Sequence, residues 1–389
     1  MRKILMVALT VLLSLTACAP NLQKQEEVVQ ENDDTKEKAI IPKYQISDQY
    51  YRTILPFEPS QARGLIVNNL NTRYDISEFE TGLMRLAQTS FGPDKYLFKE
   101  GQNLDRETVG LWLNRKMTAT QLQDAGLKED ENIGLNPQIP EGGDITANNE
   151  QNPIYLAHLL EHNYLLKDED GTVRLGGVVI GLALNSVHYY QKEAYGATFE
   201  SEISQAKLEE EGKRIAAEVL TRLRGMKNLA NVPITIALFK QKSRSSVVPG
   251  NFIAYASADK GSSKLGAWQS VNESYFLFPS TEATNAHRDD VTFFLNFKQD
   301  VETYFPNFNG VIGQAFYVGD QLQELKIDIP IQFYGKAEAV GFTQYVTGLV
   351  MEHFPDYYSV EVNISSVNGQ EGLIVKEAGD KEPFVHIYQ

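Results

Sequence analysis

The chain is predicted to fold as an α+β protein, with an N-terminal α+β region followed by two tandem α+β repeats, each a mainly antiparallel sheet covered by helices. Three observations carry this. Residues 202–224 place Leu208, Ile215, Val219 and Leu223 on one helical face, with Arg222 and Arg224 in the last turn and Gly225 closing it. Residues 325–333 alternate Leu325, Ile327, Ile329, Ile331 and Phe333 with Lys326, Asp328, Pro330 and Gln332, the period of a strand buried on one face only. The order helix, strand, helix, strand, strand also occurs twice beyond residue 150, which suggests internal duplication. Residue identity between the halves is slight, so convergence of ordinary α+β pieces stands beside that reading.

Residues 1–17 read as an export signal. Met1, Arg2 and Lys3 form a charged start, and residues 4–15 are almost wholly apolar, too short for a bilayer core of ~30 Å but right for a signal peptide. The segment ends Leu15-Thr16-Ala17-Cys18, which resembles the bacterial lipobox. Small residues fit the signal peptidase, and the thiol is the nucleophile that can carry a thioether-linked diacylglycerol. Cys18, the only cysteine, becomes the lipid-bearing first residue of the mature protein. The alternatives are an ordinary signal with a chance cysteine, or a buried structural thiol.

With Cys18 lipidated, no thiol remains for disulfides, thiolate metal sites or cysteine catalysis. Removing residues 1–17 takes away Arg2 and Lys3 and no acid, so the formal net charge goes from -15 to -17. So acidic a surface is repelled by nucleic acid and anionic headgroups, which leaves membrane attachment to the acyl chains. No later stretch approaches 18 apolar residues, so no transmembrane helix is expected. Residues 18–43 are assigned to the lipidated cysteine and a tether, disordered over 19–40 because the segment has almost nothing to bury.

The N-terminal region and its loop span 44–150. A strand is expected at 63–68, a capping box from Ser77 to Glu80 before a helix carrying Phe79, Leu83 and Leu86, a turn at 91–94, and a helix from Asp105 through Val109 and Trp112. Residues 117–152 read as a long loop. Repeat 1, at 151–283, is expected to hold a helix at 154–166, a turn at 168–171, a strand at 177–185, the helix 202–224, and strands at 233–240 and 252–256. Repeat 2, at 286–389, holds a helix at 289–305 stopped by Pro306, the strand 325–333, a helix at 341–354, alternation over Tyr358, Val360, Val362 and Ile364, and strands near Leu373 and Phe384.

Four runs carry a family resemblance: QARGLIVNNLNTRYD from Gln61 to Asp75, KYLFKEGQ from Lys95 to Gln102, GLALNSVHYY from Gly181 to Tyr190, and VPGNFIA from Val248 to Ala254. They resemble those of the CamS family, the sex pheromone precursor lipoproteins of Firmicutes, and the resemblance extends over essentially the whole chain. It implies a surface lipoprotein of the cell envelope whose signal peptide is cut by the lipoprotein signal peptidase, then trimmed by an intramembrane protease into a secreted hydrophobic pheromone sensed by conjugative plasmids of enterococci. The matching positions are Thr10, Val11, Leu12, Leu13, Ser14, Leu15, Thr16 and Ala17. An uncharged apolar octapeptide suits a closed apolar receptor groove, where each large side chain contributes ~1.5–3 kcal/mol on burial.

One catalytic motif needs weighing. His158-Leu159-Leu160-Glu161-His162 fits H-x-x-E-H, and on a helix His158 and His162 share a face on which they could bind zinc, with Glu161 as general base. A zinc metallopeptidase is therefore the alternative function. Against it, the third acidic ligand expected downstream would fall at 231–240, which holds no acid, and the favoured reading is a solvated helix surface. There is no G-x-S-x-G, G-x-G-x-x-G or P-loop. Glu209 to Glu211 read as a dipole-complementing first turn, and Asn251-Phe252, after Gly250, as a loop position suited to recognition. No enzyme activity, catalytic residue, metal, cofactor or nucleic-acid partner is expected, and no ligand of the mature part is read from the sequence.

Overall fold

The computed structural model describes residues 26–32, 35–47, 50–304, 310–333 and 335–389. The signal peptide, Cys18 and the octapeptide 10–17 lie outside the described residues.

The segment expected to be a disordered tether is folded over much of its length. β1 (Glu26–Asn32) and β2 (Thr35–Ile41) form an antiparallel hairpin. Three of its five apolar side chains fall on one buried face: Val28, Ala39 and Ile41 pack with Ile54, Leu97, Leu165 and Val173 in a small core of their own, while Val29 and Ile40 are exposed. Average composition, which argued for disorder, does not register where the apolar residues sit.

β3 (Arg52–Thr53) follows. The expected strand at 63–68 is instead a 3-10 turn, Arg63–Leu65, running into α1 (Ile66–Asn69). α2 (Arg73–Ala87) is capped by Thr72, whose side chain accepts from Asp75 N, so Ser77 and Glu80 lie inside the helix rather than at its start. β4 (Leu97–Glu100) and α3 (Arg106–Leu113) come next, the latter capped by Asp105 as expected. The presumed loop carries α4 (Ala119–Ala125), opened by a Thr118/Gln121 capping box, and α5 (Ile145–Gln151), capped by Asp144.

The largest correction concerns 154–166, which is not a helix but most of β5 (Leu156–Lys167). A strand buried on both faces loses the period-two alternation that marks a strand, and here His158, Glu161, His162 and Asn163 are buried along with the apolar residues, so periodicity alone does not separate the segment from a buried helix. The Asp168–Gly171 turn then makes a hairpin into β6 (Thr172–Asn185). After the separate hairpin β7 (Val187–Gln191) and β8 (Thr198–Glu202) come α6 (Gln205–Arg224), β9 (Ile234–Gln241), β10 (Asn251–Ala258) and β11 (Gln269–Ser270). Glu209, Glu210 and Glu211 fall beyond the first turn of α6 and pair with Lys207, Lys213 and Arg214.

These strands build a nine-stranded sheet whose main path runs β11-β10-β9-β6-β5-β4-β3, with β1 added parallel to the start of β6. Both faces are covered. On one, Leu208, Ile215, Val219 and Leu223 of α6 pack on Val178, Ile180 and Leu182 of β6 and Ile234, Ile236 and Leu238 of β9. On the other, Phe79, Leu83 and Leu86 of α2 pack on Val179, Ala183, Ala237, Phe239 and Phe252. The approach is close enough that a Cβ on Gly181 would lie 2.7 Å from the Phe79 ring.

The second sheet has six strands in the order β12 (Glu273–Phe278), β13 (Ile312–Val318), β14 (Gln321–Pro330), β15 (Ser359–Ser366), β16 (Gly369–Lys376) and β17 (Phe384–Ile387). α7 (Thr281–Ala286) and α8 (Arg288–Tyr304) precede β13, and α9 (Lys336–His353) joins β14 to β15. The helices cover one face, where Phe294, Phe297, Phe342 and Val346 meet Leu325, Ile327, Ile329, Val360 and Val362. Lys326 and Asp328 are exposed on the other.

The two sheets share a connectivity. Hairpin β5–β6, helix α6 and hairpin β9–β10 put β6 parallel to β9 at the centre, and hairpin β13–β14, helix α9 and hairpin β15–β16 do the same with β14 and β15. The strands at 177–185 and 325–333 thus have equivalent neighbours. Descent of both units from one duplicated segment is our proposal for this match.

Candidate functional site

β4 pairs with β5 only from Leu165 to His162, and one further bond, Gly101 N to Glu161 O at 3.0 Å, ends the ladder. Antiparallel strands present alternate residues to each neighbour. The N–H and C=O of Leu159 therefore face the same outer edge as those of Glu161. They have no partner there among the described residues.

Against this edge lies a cleft of about 50 Å³ between the Ser60–Ile66 stretch, α2, the end of β4 and the start of α3. Its floor is apolar, with Ile66, Met84, Phe98, Leu104, Val109 and Leu160. Its rim is charged. Arg63 Nη1 meets Glu100 Oε1 at 2.6 Å, Ser60 N donates to Glu100 Oε2 at 2.7 Å, and the Arg63 guanidinium sits 5.7 Å over the Phe57 ring. Glu80 also lines the cleft but makes no hydrogen bond or ion pair with another described residue. Burial pushes its carboxyl pKa up, Arg63 pulls it down and Glu100 raises it again.

The H-x-x-E-H residues all line this cleft, though not as a metal site. On a strand, His158 and His162 share one face but stand ~13 Å apart at ~3.3 Å per residue, too far for one zinc. Glu161 points through the sheet to the opposite face, where it accepts from Asn103 N at 3.1 Å, Asn103 Nδ2 at 2.6 Å and Leu104 N at 2.9 Å. Burial raises its pKa against the pull of those donors. No group of three or more His, Cys, Asp or Glu among the described residues is placed to hold a metal.

Far from being solvated, the histidines are 1% and 2% exposed. Desolvation lowers His158 to about 4 and His162 to about 3, so both rings are neutral near pH 7. His158 Nδ1 lies 3.2 Å from Asn69 Nδ2, which assigns that nitrogen as acceptor and Nε2 as the N–H. His162 packs edge-on against Phe98 at 4.9 Å, and its Nδ1 is buried without a partner.

A second polar cluster closes the far end of the sheet. Asp75, fully buried, accepts from Gly250 N at 2.7 Å, Lys242 N at 3.3 Å and Thr72 Oγ1 at 2.9 Å, while Asn71 N donates to Gln241 Oε1 at 2.9 Å and Gln241 Nε2 to Asn185 Oδ1. Burial raises the Asp75 pKa against these bonds. The runs 61–75, 181–190 and 248–254 meet here, and 61–75 with 95–102 build the cleft. Asn251-Phe252 is not a recognition loop: Asn251 opens β10, and Phe252 is wholly buried, stacked on Phe79 at 6.1 Å.

The fold defines a two-sheet α+β protein with two hairpin–helix–hairpin units and a cleft at a strand edge. The CamS sex pheromone cAM373 precursor family matches residues 57–382. The chain belongs to that family. It is similar to the solved C-terminal domain of the sex pheromone staph-cAM373 precursor from Staphylococcus aureus, at 35% identity and TM-score 0.71, covering 82% of this chain and 98% of that one. It is also similar to the sex pheromone precursor from Lactobacillus salivarius subsp. salivarius UCC118, at 31% identity and TM-score 0.79, covering 89% and 98%. A search of curated proteins gave no match.

Proposed function

We propose that this chain is exported as a pheromone precursor lipoprotein, with residues 10–17 as the source of the peptide and diacylglycerol on Cys18 holding the folded part on the outer face of the cytoplasmic membrane. The observation that carries the reading is the family match over 57–382 downstream of Leu15-Thr16-Ala17-Cys18. The folded part acts as a binding or envelope protein rather than a peptidase. In support, the one motif of hydrolytic type is split across two faces of β5.

Mass spectrometry of culture supernatant is expected to find the peptide Thr10 to Ala17, or a form one residue shorter. Cys18→Ala removes both the lipid attachment atom and the cleavage signal, so peptide and palmitate labelling are expected to disappear together. Undiminished peptide, or equal labelling of wild type and variant, would overturn the proposal.

A further inference from the structure

We propose that the cleft at the β5 edge binds a primary ammonium group carried on a small apolar body, whether a free amine or the amino end of an apolar peptide. Unused hydrogen-bonding capacity points to this chemistry. Glu80 lines it with a carboxylate that makes no hydrogen bond and feels Arg63 only at longer range, and His162 lines it with a ring 2% exposed whose Nδ1 is unpartnered. A primary ammonium brings a positive charge and three donors to this wall.

Charge agrees. Glu80 and Glu100 face a single cation, Arg63, at the rim, and the two histidines are uncharged near pH 7, so an incoming cation completes the balance where an anion would worsen it. A carboxylate kept away from water gains more from such a pairing than a surface one does. Size selects the body: about 50 Å³ holds the ammonium and a few heavy atoms, which meet Ile66, Met84, Phe98 and Leu160. The rest of a larger ligand would emerge past Arg63, whose side chain is half exposed.

Isobutylammonium and leucyl-alanine amide, titrated calorimetrically into the folded protein, separate the two sources. Binding by both identifies the ammonium as the determinant, and a preference for the peptide identifies an amino terminus as the occupant. Isobutanol, the neutral isostere, is expected to bind at least about tenfold more weakly. Glu80→Gln is expected to weaken the amine about five- to tenfold, and Arg63→Ala to strengthen it by removing the competing cation, with the melting temperature checked for each. These opposite signs are not expected of non-specific apolar binding. Isobutanol binding as well as the amine, no binding of either amine, or Arg63→Ala weakening the amine would overturn the proposal. Binding here does not depend on the fate of residues 10–17, so its failure leaves the precursor role standing.

Discussion

The two sheets share a connectivity and differ in cover. In the first, α2 and α6 sandwich the strands, and β6 is apolar at every position from Val178 to Leu184 except Gly181. In the second, helices lie on one face only, and β14 alternates buried Leu325, Ile327 and Ile329 with exposed Lys326 and Asp328. The same path of chain thus produces two unlike hydrophobic patterns. Periodicity reports how many faces of a strand are covered, not which strand of the topology it is.

The sharpest way to break the comparison is to remove the extra cover. Phe79→Ala, at a position of zero exposure, is expected to cost ~3–5 kcal/mol in urea unfolding. A loss below about 1 kcal/mol would mean that the α2 face is dispensable.

Acid is expected to act next, and on the first sheet. His158, His162 and His188 titrate lower folded than unfolded, so their contribution is complete above pH 6.5 and falls with pH until about 4, about 3 and about 4. By pH 5 that is ~2 kcal/mol for each ring at 1.36 kcal/mol per pKa unit. His162→Phe, beside Phe98, is expected to flatten the histidine-driven fall in stability between pH 6.5 and 5 by about a third, measured by urea midpoints. An unchanged slope would show that other groups set the acid response.

Arg85 joins the halves. It binds Glu78 at 2.6 Å and Glu273 of β12 at 2.9 Å and lies 4.7 Å over the Phe316 ring, while the Tyr275 hydroxyl donates to Glu78 at 2.6 Å. Arg85→Ala leaves two largely buried carboxylates without their cation. The expected cost is ~1–3 kcal/mol, below that of a fully buried pair because Arg85 is about a third exposed. Trp112 and Trp268, the only tryptophans, both pack with the first sheet, so fluorescence and circular dichroism should separate in the variant if the junction couples the halves.

The smallest effect is expected where the face away from the helices is exposed: Asp328→Ala should change stability by less than about 0.5 kcal/mol. A larger loss would reveal a cover on that face.

What could be read from the sequence follows the same division. α6 and β14 were legible because each has one wet side, which prints its period on the chain. β5 was not, because residues 156–166 are buried or half-buried on both faces and a doubly covered strand has no period to read. The hairpin at 26–41 escaped because five apolar side chains in sixteen residues, three of them buried, are invisible to composition yet enough to pack on Leu165 and Val173. As for the cleft, H-x-x-E-H marked one wall for chemistry that a strand cannot perform. Its rim was silent, since Ser60, Arg63, Glu80 and Glu100 are ordinary surface residues until α1, α2 and β4 bring them together.

The hairpin also sets a working height. A tether disordered over 19–40 would let a body anchored at Cys18 range ~75 Å from the bilayer, at ~3.4 Å per extended residue. With β1 beginning at Glu26, residues 19–25 allow at most ~25 Å, close to the radius of gyration of ~21 Å for a globule of this length. Under the anchoring proposed above, a body so moored would roll against the membrane rather than reach away from it, and its partners would have to come to the bilayer to meet it.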